Sequence, residues 1–179
     1  MTTYVALLRG INVGGNKMVP MAALRVALEK MGLSDVRTVL QSGNVIFRFA
    51  ARASGTLERS LEDEVEKRLK CRADIHVRTA TEWHDVVARN PFTEEAQSDP
   101  GHLLVIFFKA PIDTAKAKAL QAVIPGRERI HADGRQLYVV FPDGVGTSKL
   151  PRLVDRHLAA SGTGRNWNTV LKLSALAGS

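Results

Sequence analysis

The chain has 179 residues, 45% of them apolar and 24% charged, which is enough to bury a sizeable core and too hydrophobic for a disordered segment. Lys and Arg total 25 against 18 Asp and Glu, and the net charge of +7 favours anionic partners electrostatically. The charge is spread rather than blocked, with 14 cations and 10 anions in residues 1–90 and 11 and 8 in the remainder, as a plain solvated surface would also have.

The single cysteine, Cys71, excludes an intrachain disulfide and fits a reducing compartment. No cationic region precedes the short apolar run at the N-terminus, and no apolar stretch approaches the ~20 residues of a membrane span. These features predict a soluble cytoplasmic protein without membrane contact.

In chain order, "TYVALLRG" reads as a buried strand ending at Gly10. A helix is predicted from Pro20, with Leu24, Leu28 and Met31 on one stripe and Gly32 as its end. "VRTVL" and "NVIFRF" flank the turn "QSGN" and predict a hairpin. "SGTLERSLEDEVEKRLKC" sets Leu57, Leu61, Val65 and Leu69 four apart, with Glu64 to Arg68 and Glu66 to Lys70 as supporting i,i+4 pairs. "DIHVRT" is the next strand, with His76 at an edge or on the surface, and Thr81 is expected to cap a short helix through Val87.

The pattern then repeats. "HLLVIFFKA" is a strand and "IDTAKAKALQAVI" a helix; "RERIHA" and "QLYVVF" surround the turn "DGR". "SKLPRLVDRHLA" is a second helix, and "GTGRN" leads into the last helix, "WNTVLKLSALA". Thr79, Trp83 and Val86 in the first half match Thr163, Trp167 and Val170 in the second, a period that indicates duplication of one unit. The predicted fold class is therefore α/β (α+β), two ferredoxin-like βαββαβ units each followed by an extra helix. The expected boundaries are residues 1–90 and 103–179 for the halves, with the Pro-, Glu- and Ser-rich stretch 91–102 as linker.

Three stretches, "ALLRGINVGGNKMVPMAALRVALEKMG", "DVRTVLQSGNVIF" and "RNWNTVLKL", resemble a bacterial family catalogued as a domain of unknown function, DUF1697. The resemblance covers essentially the whole chain and implies two related ferredoxin-like halves, without implying an activity. By that likeness the motif positions are Arg9, Gly10, Asn12, Gly14, Gly15, Gln41, Ser42, Gly43, Asn44, Arg165, Asn166 and Trp167.

The loop "RGINVGGNK" is not a Walker A sequence, because after Gly10 and Gly15 Asn16 stands where Lys is required and no Ser or Thr follows to hold magnesium. Backbone amides at Gly14 and Gly15, flanked by Arg9 and Lys17, could still hold an oxyanion near a helix N-terminus, or the glycines could simply turn the chain. Asn12 and Asn16 add side-chain amides to that loop. Ser42 is ordinary hairpin chemistry and lacks the context of a nucleophile, while Gln41 and Asn44 could present amides to a base edge or sugar. Asn166 is a natural N-cap, Trp167 a core residue, and Arg165 is placed for a phosphate or carboxylate.

Lys149, Arg152 and Arg156, at i, i+3 and i+7, form a basic stripe opposite Leu150, Val154 and Leu158, suited to a nucleic-acid backbone or simply solvated. The five histidines have no metal-ligand spacing, so neither a metal nor a cofactor is expected. Two ligand-binding readings follow: a non-enzymatic module for nucleic acid or a nucleotide, and an enzyme acting on a phosphorylated or carboxylated small molecule in a cleft between the halves. A scaffold with open sheet edges is a third.

Overall fold

The computed structural model describes residues 1–12 and 18–178. Gly14, Gly15, Asn16 and Lys17 therefore lie outside the described residues. The elements are β1 (Thr2–Leu8), α1 (Met21–Lys30), β2 (Ser34–Val39), β3 (Asn44–Phe49), α2 (Ser54–Leu69), β4 (Ile75–Thr79), α3 (Ala80–Ala88) and α4 (Thr93–Ser98). They continue as β5 (Leu103–Phe107), α5 (Thr114–Val123), β6 (Arg129–Asp133), β7 (Gln136–Val140), α6 (Leu150–Leu158), β8 (Thr163–Asn166) and α7 (Trp167–Ala177).

Two compact units result. The first comprises Met1–Asp85 with Leu173–Ser179, and the second comprises Val86–Lys172. The stretch 91–102 carries the short helix α4 and falls within the second unit.

In the first unit the strands form an antiparallel sheet in the order β2-β3-β1-β4. Strand alternation sends Tyr4, Ala6 and Leu8 of β1 to the same face as their partners Phe47, Val45 and Ile75. Leu24 and Leu28 of α1 and the Leu57, Leu61 and Val65 stripe of α2 complete this core. Each such aliphatic side chain removed from water contributes about 1.5–3 kcal/mol, so the helix periodicity is the main driving force that seats α1 and α2 on the sheet. The opposite face is buried as well, at Val5, Leu7, Ile46 and, unexpectedly, His76 and Arg78. His76 lies on an edge strand, as its pattern suggested, but it is 1% exposed; its side chain belongs to a covered face.

Two helix starts differ from their sequence reading. Pro20 is the N-cap of α1, in extended conformation, and the first helical residue is Met21. The cap of α3 is Thr79, not Thr81: the Thr79 hydroxyl accepts from the Glu82 N–H (3.1 Å) and the Glu82 carboxylate accepts from the Thr79 N–H (2.8 Å). That reciprocal pair satisfies two backbone donors where β4 runs directly into the helix, and Thr81 is too late in the chain to supply either bond.

The second unit repeats the plan with the order β6-β7-β5-β8. Its strand pairings β5–β7, β5–β8 and β6–β7 are antiparallel, so the chain is a duplicated ferredoxin-like fold. Leu120 of α5 and Leu150, Val154 and Leu158 of α6 pack on Leu137 and Val139 of β7. Asp113 caps α5 through the Ala115 N–H (2.8 Å), and Asn166 caps α7 through the Thr169 N–H (3.0 Å). Trp83, Val86, Trp167 and Val170, the residues that revealed the duplication, are all buried.

On the other face of the second sheet, Tyr138 is fully buried and its hydroxyl donates to the Val86 carbonyl at 2.7 Å. Burial, reinforced by Asp133 and opposed by Arg89, holds this phenol well above its ordinary pKa. A folded-state pKa raised above the unfolded value contributes stability that is complete below about pH 10 and is lost as pH rises beyond it. Tyr138→Phe is expected to cost about 1 kcal/mol at neutral pH through the lost hydrogen bond. It should also flatten the alkaline decline in stability, measured by urea unfolding at stepped pH; an unchanged alkaline slope would place the titration elsewhere.

Candidate functional site

Two of the three sequence motifs meet at one end of the first sheet. The Leu8 N–H donates to the Gly43 carbonyl (2.8 Å), so the end of β1 is tied to the β2–β3 turn. Asn12, with φ of 55°, then closes the loop that follows. Its amide donates to the Val19 carbonyl (2.9 Å) and the Gln41 carbonyl (2.9 Å), and its oxygen accepts from the Val19 N–H (2.7 Å). One side chain thus joins Asn12, Val19 and the "QSGN" turn.

The turn is equally constrained. Gly43 has φ of 74°, and a Cβ there would lie 2.8 Å from Ile11 Cδ1 and 3.0 Å from Leu8 Cβ, so only glycine permits the loop and the turn to approach this closely. Asn44 is fully buried, and its amide donates to the Val39 carbonyl (2.9 Å) and the Ser42 hydroxyl (3.0 Å). The amides of Asn12 and Asn44, read in the sequence as ligand-facing, hold backbone and turn. Gln41 is exposed, and what it contributes to the latch is its carbonyl.

Arg9 sits beside this latch, half-buried. Its backbone N–H donates to the Asp74 carbonyl (2.8 Å) and its guanidinium lies 3.8 Å from the Asp74 carboxylate. Asp74 also lines a cavity of about 450 Å³ together with Glu62, Asp63, Glu66 and Arg72. The surroundings of Arg9 are therefore predominantly anionic. Among the described residues no group of His, Cys, Asp and Glu has the arrangement of a metal site.

In the second unit Arg165, on edge strand β8, donates to the Thr163 hydroxyl (2.9 Å) and the Gly164 carbonyl (2.8 Å). Burial lowers its pKa to about 10, which leaves it cationic at neutral pH. Asn166 serves as a helix cap and Trp167 is 4% exposed, so neither offers a stacking platform.

The basic stripe is arranged differently. Lys149, Arg152 and Arg156 are all exposed, on the side of α6 opposite the buried Leu150, Val154 and Leu158. Among the described residues none of the three is in an ion pair. Asp155 is the one carboxylate within α6, and the neighbouring α5 adds exposed Lys116 and Lys118 with no carboxylate in the helix. On the helix layer of the first unit two cations are in ion pairs, Arg25 with Glu29 and Arg68 with Glu64.

Sequence reasoning did not single out Glu58 and Glu62. Their carboxylates accept from the Val77 N–H (2.9 Å) and Ile75 N–H (2.8 Å), capping the open side of edge strand β4 from α2. The available signal was their i,i+4 spacing directly beside the Leu57 and Leu61 stripe.

Two ferredoxin-like units, one carrying the Asn12 latch and the other a basic helix face, define a duplicated α/β protein. The chain belongs to the family described as "Protein of unknown function (DUF1697)", which matches residues 1–138. Among solved structures it is similar to "conserved bacterial protein SP0830 from Streptococcus pneumoniae", with a TM-score of 0.77 and 21% identity over 98% of each chain. At that identity the likeness is one of fold. A comparison with curated proteins gives no match. No helix among the described residues is long and apolar enough to cross a membrane.

Asn12→Ala removes three hydrogen bonds and strands the Val19 N–H and two carbonyls, so it is expected to destabilise the protein by about 1–3 kcal/mol in urea unfolding. Arg9→Ala breaks only an exposed, long ion pair and should change stability by less than about 1 kcal/mol. Equal effects would mean that the latch is not what holds the loop.

Proposed function

We propose that the protein is a binding module for a polyanion, most specifically a nucleic-acid backbone, and that the α6 face of the second unit contacts it. The observation that carries this reading is the stripe of Lys149, Arg152 and Arg156, exposed and without a carboxylate partner among the described residues. A solvated helix face normally mixes signs, and the first unit's helices do so. Lys116 and Lys118 on α5 extend the positive surface. Phosphate recognition by Lys and Arg needs no base-reading side chains, which agrees with the low aromatic content of 6%.

The alternative reading, catalysis on a phosphorylated or carboxylated small molecule, draws on Arg9, Asn12, Asn16, Lys17, Gln41 and Asn44. Arg9, Asn12 and Asn44 have partners within the first unit, Gln41 is exposed, and Asn16 and Lys17 lie outside the described residues, so this reading lacks a carrying observation.

The test is fluorescence anisotropy with labelled duplex DNA, duplex RNA and single-stranded oligonucleotides of mixed sequence. Three phosphate contacts predict a log–log salt slope of about −2.7 on duplex DNA, so raising salt from about 50 to about 200 mM weakens binding roughly 40-fold. The triple variant Lys149→Ala, Arg152→Ala, Arg156→Ala should lose most of the affinity and most of the slope while keeping its melting temperature. Binding that survives in the triple variant with the same slope would remove α6 from the interface, and no binding at low salt would defeat the reading.

A further inference from the structure

A second surface of the same unit has the chemistry of a peptide-binding edge. Strand β6 lies at the margin of its sheet, and α5 packs beside it. Between them runs a groove of about 450 Å³ lined by Thr114, Ala117, Lys118 and Gln121 of α5 and by Ile130, His131 and Ala132 of β6.

The direction of the backbone groups along β6 follows from one hydrogen bond. The Ile130 N–H donates to the Gln121 side-chain oxygen at 2.8 Å, so it points away from β7 and out of the sheet. Outward and inward groups alternate along an antiparallel edge, so the Ala132 N–H, two residues on, points outward too. The register agrees: Asp133 and Gln136 close the hairpin as partners, which makes Ala132 opposite Leu137 the pair without mutual hydrogen bonds.

Gln121 does what an added strand would do. Its amide nitrogen donates to the Glu128 carbonyl (3.2 Å) while its oxygen accepts from the Ile130 N–H, as the N–H and C=O of one residue in a parallel neighbouring strand would. The next outward pair along the edge is the Ile130 carbonyl and the Ala132 N–H, which open beside the groove. Ile130 and Ala132 also turn their side chains towards the helix layer, packing partly buried against its core. A strand paired at Ala132 would therefore send alternate side chains over Ala117 and Thr114 and bring one within reach of Lys118.

We propose that this edge and groove bind an extended segment of another polypeptide by β-strand addition, with an acidic side chain of that segment meeting Lys118. Gln121 supplies the first rung of the ladder, and Ile130 and Ala132 supply the next. Lys118 has no ion pair among the described residues, and the groove holds no carboxylate of its own, so the complementary partner charge is negative. Main-chain bonds give such a complex its affinity, and the groove selects alternate side chains. The groove holds none of Lys149, Arg152 and Arg156, shares only Lys118 with the extended positive surface, and does not depend on the polyanion reading.

The experiment uses the full chain labelled with ¹⁵N and a pool of terminally blocked heptapeptides Ser-X-Ser-Glu-Ser-X-Ser, X being Val, Ile, Leu or Phe. Binding is expected to slow amide exchange at Ala132 and shift the resonances of residues 130–133. A pool N-methylated on its backbone should not bind. Ala132→Pro removes the outward donor at a position where an edge strand tolerates proline, and should weaken binding roughly three- to tenfold, the weight of one backbone hydrogen bond. Lys118→Glu should weaken the Glu-containing pool and leave a Gln-containing pool unaffected.

Three results would overturn the proposal. They are an Ala132 amide that exchanges at the same rate with peptide at millimolar concentration, binding that persists after N-methylation, and protection of Ala132 that appears without peptide as protein concentration rises. The last would assign the edge to a second copy of the chain. Protection by an oligonucleotide in place of the peptides would likewise reassign it.

Discussion

A four-stranded antiparallel sheet has two margins, and each margin turns a row of backbone N–H and C=O groups outward. An outward group that is neither solvated nor paired costs as much as a lost hydrogen bond, so what covers these margins constrains everything packed beside them. In the first unit α2 covers the β4 margin with carboxylates: Glu58 and Glu62 accept from Val77 and Ile75. Glu58 is only 3% exposed, a position that a carboxyl group holds because it receives a backbone donor there. This fixes the rotation of α2. With Glu58 and Glu62 on the edge, Leu57, Leu61 and Val65 fall on the sheet, and a turn of the helix by one residue would lose both sets of contacts together.

At the β6 margin of the second unit the cover is lighter: α5, which holds the place of α1 in the repeat, brings a neutral amide, Gln121. The helix layers differ in charge as well. In the first unit Glu58 and Glu62 sit on the edge, while Glu29 pairs with Arg25 and Glu64 with Arg68. In the second, Asp113 caps α5, Asp155 is the one carboxylate within α6, and among the described residues Lys116, Lys118, Arg152 and Arg156 are in no ion pair. A single topology, duplicated, thus carries two unlike surfaces.

Asn12 and the "QSGN" turn play an architectural part in this arrangement. Asn12 and Leu40 both occupy left-handed backbone conformations, at φ of 55° and 61°, where a non-glycine residue costs of order 1 kcal/mol. The hydrogen bonds made by Asn12 and Asn44 offset that cost, and the close approach of Gly43 to Ile11 and Leu8 leaves no room for an alternative turn. Residues that looked ligand-facing because they were amides are amides because two strained turns have to be joined.

How much of this could be read from the chain depended on whether the cause was local. Periodicity located every long helix and both hairpins, since burial of Leu57, Leu61 and Val65 or of Leu150, Val154 and Leu158 needs only the helix repeat. The Lys149, Arg152 and Arg156 stripe was legible for the same reason. Its lack of ion pairs was not, because neutralising partners come from far along the chain: Arg129 meets Glu95, and Arg89 meets Asp133. The burial of His76 was hidden for a related reason, since an edge strand exposes its backbone margin and says nothing of which faces are covered. Thr79 and Thr81 were both chemically able to cap α3, and the choice was made by where β4 ends, a matter of sheet register. Spacing states what a residue shares a face with; it is silent on what arrives at that face from elsewhere. Both proposed surfaces rest on that second kind of information, on cations in no ion pair among the described residues and on an edge that its helix covers only in part.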